Sequence, residues 1–134
     1  MPFVHEARVA PGDIDELGHA GNLVYLRWVL EAALSHSTSL GLDQAAYLKL
    51  GQVWVVRRHE IVYLRPAFEG DALRVETRVT TMGAASSERR TRILKSADGS
   101  VLAEAVTDWA FVDIARGRPV RIPEQIRSRF LLEL

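Results

Sequence analysis

Asp13, Asp15 and His19 sit among Gly12, Gly18 and Gly21, in a segment whose last residues, Gly21 and Asn22, lead directly into the apolar run Leu23-Val24-Tyr25-Leu26-Arg27-Trp28. A loop carboxylate delivered onto the first turn of a helix stands beside backbone N–H groups that have no intrahelical partner. Hydrolysis of an activated carbonyl needs that pairing: a base to activate water, or a carboxylate to attack, and donors for the oxyanion that forms. Asp15 is the candidate carboxylate. His19 is placed to orient it, to hydrogen-bond a substrate or to position water. Asn22 is expected to cap the helix with its side chain and to offer its backbone amide to the oxyanion.

The same residue types have a plainer use. Asp13 and Asp15 can close Asx-turns around the glycines, and a single loop histidine can serve as a structural hydrogen-bonding residue. Gly18 and Gly21 permit either close backbone approach to a ligand or a tight turn. A metal site is not expected, because the loop offers too few oxygen ligands for Mg²⁺ or Ca²⁺ and no second histidine stands at a zinc spacing.

The elements that must position this loop follow from periodicity. Phe3 to Ala10 reads as a strand closed by Pro11-Gly12, and about Leu23 to Leu40 as a helix with Gly41 just past its end. Leu23, Leu26, Leu30 and Leu34 recur at helical spacing, and the wider apolar surface predicts a largely covered helix. Tyr25 and Trp28 are expected to pack. A short helix is expected between Asp43 and Gly51. Strands follow at Val53–Leu64, Leu73–Val79, Glu88–Lys95 and Val101–Val112, with Asp98-Gly99 as a two-residue hairpin signal. Pro123 to Leu134 reads as a terminal helix. The order predicts an α+β fold, a sheet curled around one buried helix. Its other face, with residues such as Trp54 or Trp109, would still need cover, which a second copy could supply.

With 134 residues the chain is read as one domain, 1–134. Seventeen basic and seventeen acidic residues cancel, so neither nucleic acid nor an anionic membrane is an expected partner. The absence of cysteine removes disulfides, thiolate metal sites and a cysteine nucleophile. No signal peptide or membrane-length apolar run is visible, which predicts a cytoplasmic protein. No phosphate-loop, dinucleotide or nucleophile-elbow motif occurs, and no cofactor is expected. The clusters Arg57-Arg58-His59 and Arg89, Arg90, Arg92 could meet nucleotide phosphates or form a solvated strand face balanced by acids.

The segment Gly12-Asp13-Ile14-Asp15…Gly18-His19-Ala20-Gly21-Asn22…Tyr25-Leu26-Arg27-Trp28…Glu31-Ala32 resembles the opening motif of the hotdog-fold thioesterases, closest to the 4-hydroxybenzoyl-CoA and acyl-CoA thioesterase branch. Tyr63-Leu64-Arg65-Pro66-Ala67, Gly70-Asp71 and Trp109-Ala110-Phe111-Val112-Asp113 resemble later strand segments of those families in the same order. The resemblance implies an antiparallel sheet of about five strands wrapped around one long helix. It implies an acyl-CoA or acyl-carrier-protein thioesterase that frees a carboxylic acid and a thiol. Asp15 would be the catalytic carboxylate and the Asn22 amide the carbonyl donor. The assembly would be a dimer or dimer of dimers whose sheets join side by side, with each site at the subunit interface. Leu17 stands where the acyl-carrier-protein branch has an asparagine, and Gly21-Asn22 replaces a paired asparagine. These departures favour the Asp-centred branch and leave His19 an accessory. A non-catalytic acyl-CoA-binding protein and an acyl-thioester hydratase share the scaffold; Leu17-Gly18-His19 breaks the hydratase pattern.

Overall fold

The computed structural model describes residues 2–131. The elements run β1 (Phe3–Arg8), α1 (Asn22–Ser39), α2 (Gln44–Leu50), β2 (Gln52–Tyr63), β3 (Ala72–Met82), β4 (Ser86–Lys95), β5 (Val101–Asp113) and α3 (Glu124–Leu131). The strands form one five-stranded antiparallel sheet in the order β1-β3-β4-β5-β2. The sheet wraps around α1, as the resemblance implies.

Strict alternation in β3 sorts the two faces. Leu73, Val75, Thr77 and Val79 are buried on the inner face, while Arg74, Glu76 and Arg78 stand on the outer one. On β4, Ser87, Arg89, Thr91 and Ile93 continue the inner face, and Thr77 and Thr91 are hydrogen-bonded across it at 3.1 Å. The outer face is laced with ion pairs such as Arg92–Glu76 and Arg90–Glu88. That accounts for most of the second basic cluster: it is a strand face balanced by neighbouring acids. In the first cluster, Arg58 pairs with Glu60 and approaches Asp108, and Arg57 sits at a register shift in β2.

Helix α1 contains neither glycine nor proline across its 18 residues and stops where Gly41 takes a left-handed φ of 82°. Tyr25, Trp28, Val29 and Ala32 pack on Leu73, Val75, Ile93 and Ala103 to form the main core. Removing an indole of this kind costs about 3–5 kcal/mol. A second cluster joins Tyr47, Phe111, Ile126 and Phe130 beneath α2 and α3. In α2, the Asp43 side chain accepts the Ala46 N–H as the N-cap, and Gly51 is the C-cap, as expected.

Four expectations are corrected. The leucine stripe is not the buried face of α1: Leu23 is 81% and Leu34 55% exposed, because the sheet takes the Tyr25–Trp28–Ala32 side. Trp54 and Trp109 lie on the inner, helix-covered face, where Trp54 packs on Phe111 with ring centroids 4.9 Å apart. The β4–β5 connection is longer than a two-residue turn: Lys95 N–H bonds Ser100 O, and Asp98 caps Ser100 from within the loop. The N-cap of α1 is Gly21, with Asn22 as the first helical residue. The last part of the expected terminal helix, 132–134, lies outside the described residues.

Candidate active site

The loop between β1 and α1 is fixed by its backbone. Asp15 N–H bonds His19 O at 3.0 Å, Gly18 N–H bonds Asp15 O at 3.0 Å, and Gly21 N–H bonds Asp13 O at 3.1 Å. Ala20 N–H reaches Ala67 O at 2.8 Å and ties the loop to the segment after β2. Gly18 turns with a φ of 88°, which a side chain would strain.

The two acids are distinct in role. Asp13 is buried and spends both carboxylate oxygens internally: Oδ2 accepts Ala10 N–H at 2.9 Å and Oδ1 accepts Arg27 Nη1 at 2.9 Å. The Arg27 hydrogen bond holds the Asp13 carboxyl below the usual carboxylate range, against burial that pushes it up. Asp15 is exposed. Its Oδ1 accepts Leu17 N–H at 2.9 Å, an Asx-turn, while Oδ2 takes no hydrogen bond among the described residues. That oxygen lies 3.7 Å from where a Cβ would stand on Gly21, the N-cap of α1. The free carboxylate oxygen thus stands over the helix start.

Asn22 caps nothing with its side chain, but its N–H, like that of Leu23, belongs to the first turn and forms no hydrogen bond among the described residues. The Asn22 carbonyl accepts the Tyr63 hydroxyl at 3.2 Å, which places the end of β2 beside the helix start. His19 forms no hydrogen bond or ion pair with the Asp15 side chain among the described residues. Its Nδ1 lies 3.3 Å from Ala20 O, and its ring meets Phe68 edge-on at 6.4 Å. Tyr25 packs as expected, and its hydroxyl also accepts Ala67 N–H at 2.9 Å and donates to Arg65 O at 3.2 Å. Among the described residues no group of three or more acidic, histidine or cysteine side chains could hold a metal.

A cavity of about 460 Å³ opens at the other end of α1, between α1, α2 and the sheet. Leu34, Tyr47, Leu48, Trp54, Arg89 and Trp109 line it. Leu30, also in its wall, is eight residues from Asn22, about 12 Å along the helix axis. Arg89 is buried beneath it, donating Nη1 to His36 Nδ1 at 3.0 Å and to Thr77 Oγ1 at 3.1 Å. Burial pushes Arg89 down to about 10, leaving it charged at neutral pH. Burial, with the Arg89 charge beside it, pushes His36 down to about 4, so the imidazole is neutral. Burial raises the Tyr47 hydroxyl, while its hydrogen bond with Ser37 pulls it back. The indole Nε1 groups of Trp54 and Trp109 are buried without an acceptor among the described residues. From sequence alone Arg89 is visible only as one of a basic cluster, and the cavity is not visible. The period-two pattern of β4 puts Arg89 in phase with Ile93, which was the available signal.

A family model of the Thioesterase-like superfamily matches residues 9–130. The acyl-acyl carrier protein thioesterase ATL3, chloroplastic, of Arabidopsis thaliana is 26% identical over 126 residues, covering 94% of this chain and 66% of the relative. The palmitoyl-acyl carrier protein thioesterase, chloroplastic, of Gossypium hirsutum is 29% identical over 104 residues, covering 73% of this chain. The chain spans only 25% of that cotton relative's length. Among solved structures, a 1,4-dihydroxy-2-naphthoyl-CoA thioesterase from Synechocystis superposes with a TM-score of 0.90 at 21% identity, covering 98% of this chain and 96% of the other. A Staphylococcus aureus protein solved in complex with CoA gives a TM-score of 0.92 at 17% identity, covering 98% and 83%. These likenesses carry the fold, and the family match spans the loop, the helix and every strand after the first. The chain belongs to the Thioesterase-like superfamily and has the hotdog fold.

Proposed function

We propose that the chain hydrolyses an acyl-CoA thioester to a free carboxylic acid and CoA, with Asp15 as general base or nucleophile and the Asn22 N–H as oxyanion donor. The observation that carries this reading is Asp15 Oδ2 over Gly21, at the mouth of a helix, where neither that oxygen nor the first N–H groups form a hydrogen bond among the described residues. As base, Asp15 takes a proton from water as the water oxygen adds to the thioester carbon. The helix start stabilises the oxyanion until the C–S bond breaks and the thiolate is protonated. His19 is an accessory that stiffens the loop. The curated plant relatives favour a second substrate, an acyl group on a carrier protein, which presents the same thioester through the same pantetheine arm.

The working unit is a homodimer joined along β2. This 12-residue strand has an unpaired edge, and apolar side chains are exposed at both of its ends. Leu23, Tyr63 and Leu64 stand near the helix start, and Leu34, Leu48 and Ile114 near the cavity. Antiparallel pairing of two copies about the middle of β2 sets the Tyr63 end of one strand against the Gln52–Trp54 end of the other. Asp15 of one copy then serves the cavity of its partner.

Thiol release from aliphatic and aromatic acyl-CoAs, and from one acyl-carrier-protein thioester, tests the reading in wild type and Asp15→Asn. Turnover by wild type that falls about 10²–10⁴-fold in the folded variant supports it. Undiminished turnover by Asp15→Asn overturns the role of Asp15, and tight CoA binding without turnover supports a binding protein instead.

A further inference from the structure

The cavity is built for more than a hydrocarbon. Its wall is mainly apolar, yet a buried guanidinium lines it without a carboxylate to pair with among the described residues. Arg89 spends only Nη1 on Thr77 and His36, and Nη2 and Nε donate to nothing among the described residues. His36 supplies no compensating charge: its neutral Nδ1 accepts from Arg89, and a protonated ring would only add a second cation. Of the four buried side-chain atoms without a partner among the described residues, three are donors and one, Gln52 Oε1 outside the cavity lining, is an acceptor. Trp54 Nε1 and Trp109 Nε1 are donors, and His36 Nε2, with Nδ1 serving as acceptor, carries a proton as well.

Ladder positions gather these groups. Ser87 faces Trp109 and Arg89 faces Thr107 across β4 and β5, so Arg89 is the diagonal neighbour of Trp109 on the inner face. Trp54 pairs with Phe111 on the adjacent β2. A cation left without an anion in an apolar site is costly, as is a buried donor without an acceptor. One carboxylate would satisfy the guanidinium fork and accept an indole N–H at the same time.

We propose that the cavity receives an acyl group carrying a second carboxylate at its far end, read by Arg89 with Trp109 and Trp54. The substrate class is then the half-thioester of a dicarboxylic acid, its methylene or aromatic body held by Leu34, Tyr47 and Leu48. The proposal rests on the thioesterase reading for its thioester end and on the cavity alone for its carboxylate end.

Binding of two thioethers that cannot be hydrolysed separates the parts: S-octyl-CoA and S-(7-carboxyheptyl)-CoA, titrated calorimetrically into the wild-type protein. The carboxyl-tipped compound is expected to bind about ten- to a hundredfold more tightly, the range of a charge-assisted hydrogen-bonded pair. Arg89→Met should abolish that preference, and Trp109→Phe should reduce it if Arg89→Met does not fold. Equal affinities, or tighter binding of the octyl compound, overturn the proposal. So does a preference that survives Arg89→Met in a folded protein. If the preference appears but no thioester is hydrolysed, the cavity assignment stands and the hydrolase reading falls. Hydrolysis of acyl-CoAs without any preference for the carboxyl tip has the opposite meaning.

Discussion

The two ends of α1 are finished in opposite ways. At the Asn22 end, the buried groups of the loop are paired: Asp13 with Ala10 and Arg27, Ala20 with Ala67, Gly21 with Asp13. Asp15 Oδ2 and the first N–H groups of the helix form no hydrogen bond among the described residues. At the Ala33–Ser37 end, the apolar wall is complete while Arg89, Trp54 and Trp109 keep unspent donors. The first arrangement fixes the backbone of the loop, and the second leaves donors without an acceptor among the described residues. On the proposed reading, chemistry and recognition lie toward opposite ends of this 18-residue helix.

Asp15→Asn should have the largest effect, a rate loss of about 10²–10⁴-fold with melting unchanged because Asp15 is exposed. Next comes the clamp that holds the loop. Asp13→Ala leaves Ala10 N–H without its acceptor and frees Arg27, so it should cost about 1–3 kcal/mol in urea unfolding and lower kcat as the loop loosens. A folded variant with undiminished stability would show that the clamp is not what fixes the loop.

The cavity end is sharpened by pH. The folded-state pKa of His36, about 4, lies below its ordinary 6.5, so between those values the unfolded chain binds more protons. Its contribution is therefore complete above about pH 6.5 and is lost as pH falls toward about 4. His36→Gln retains an acceptor for Arg89 and should flatten the urea-midpoint slope in that window, a smaller effect than the others. An unchanged slope would assign it elsewhere. Acid loss from Asp13 sets in lower, because its folded pKa is depressed below 3.8.

The loop was legible in the sequence because its parts are contiguous. Asp15, Gly18, Gly21 and Asn22 lie within eight positions, and local hydrogen bonds convert that string into geometry. Period-two alternation gave the strands, and Asp43 and Gly51 bracketed α2 as read. The cavity was not legible, because Ala33, Tyr47, Trp54, Arg89 and Trp109 come from five separate elements brought together only by the sheet order β1-β3-β4-β5-β2. The leucine stripe misled for a related reason. Helical spacing identifies an apolar face but not which of two apolar faces the chain's own sheet will take, and here the sheet took the face of Tyr25 and Trp28. The N-cap fell to Gly21 rather than Asn22 because Gly21 takes an extended φ, ψ of −68° and 156°, and the helix begins one residue later.

In the proposed dimer, Asp15 of one copy acts on a thioester whose acyl group occupies the cavity of the other. Co-expression of Asp15→Asn with Leu34→Trp, under two affinity tags and purified through both, tests it directly. Leu34 is at the cavity wall and half exposed, so the added bulk enters the mouth rather than the core. Each variant alone should be nearly inactive. The mixed dimer should regain about half the wild-type rate, because one of its two composite sites keeps both an intact Asp15 and an intact cavity. A mixed dimer as inactive as its parents would contradict the claim and return both halves of the site to a single chain.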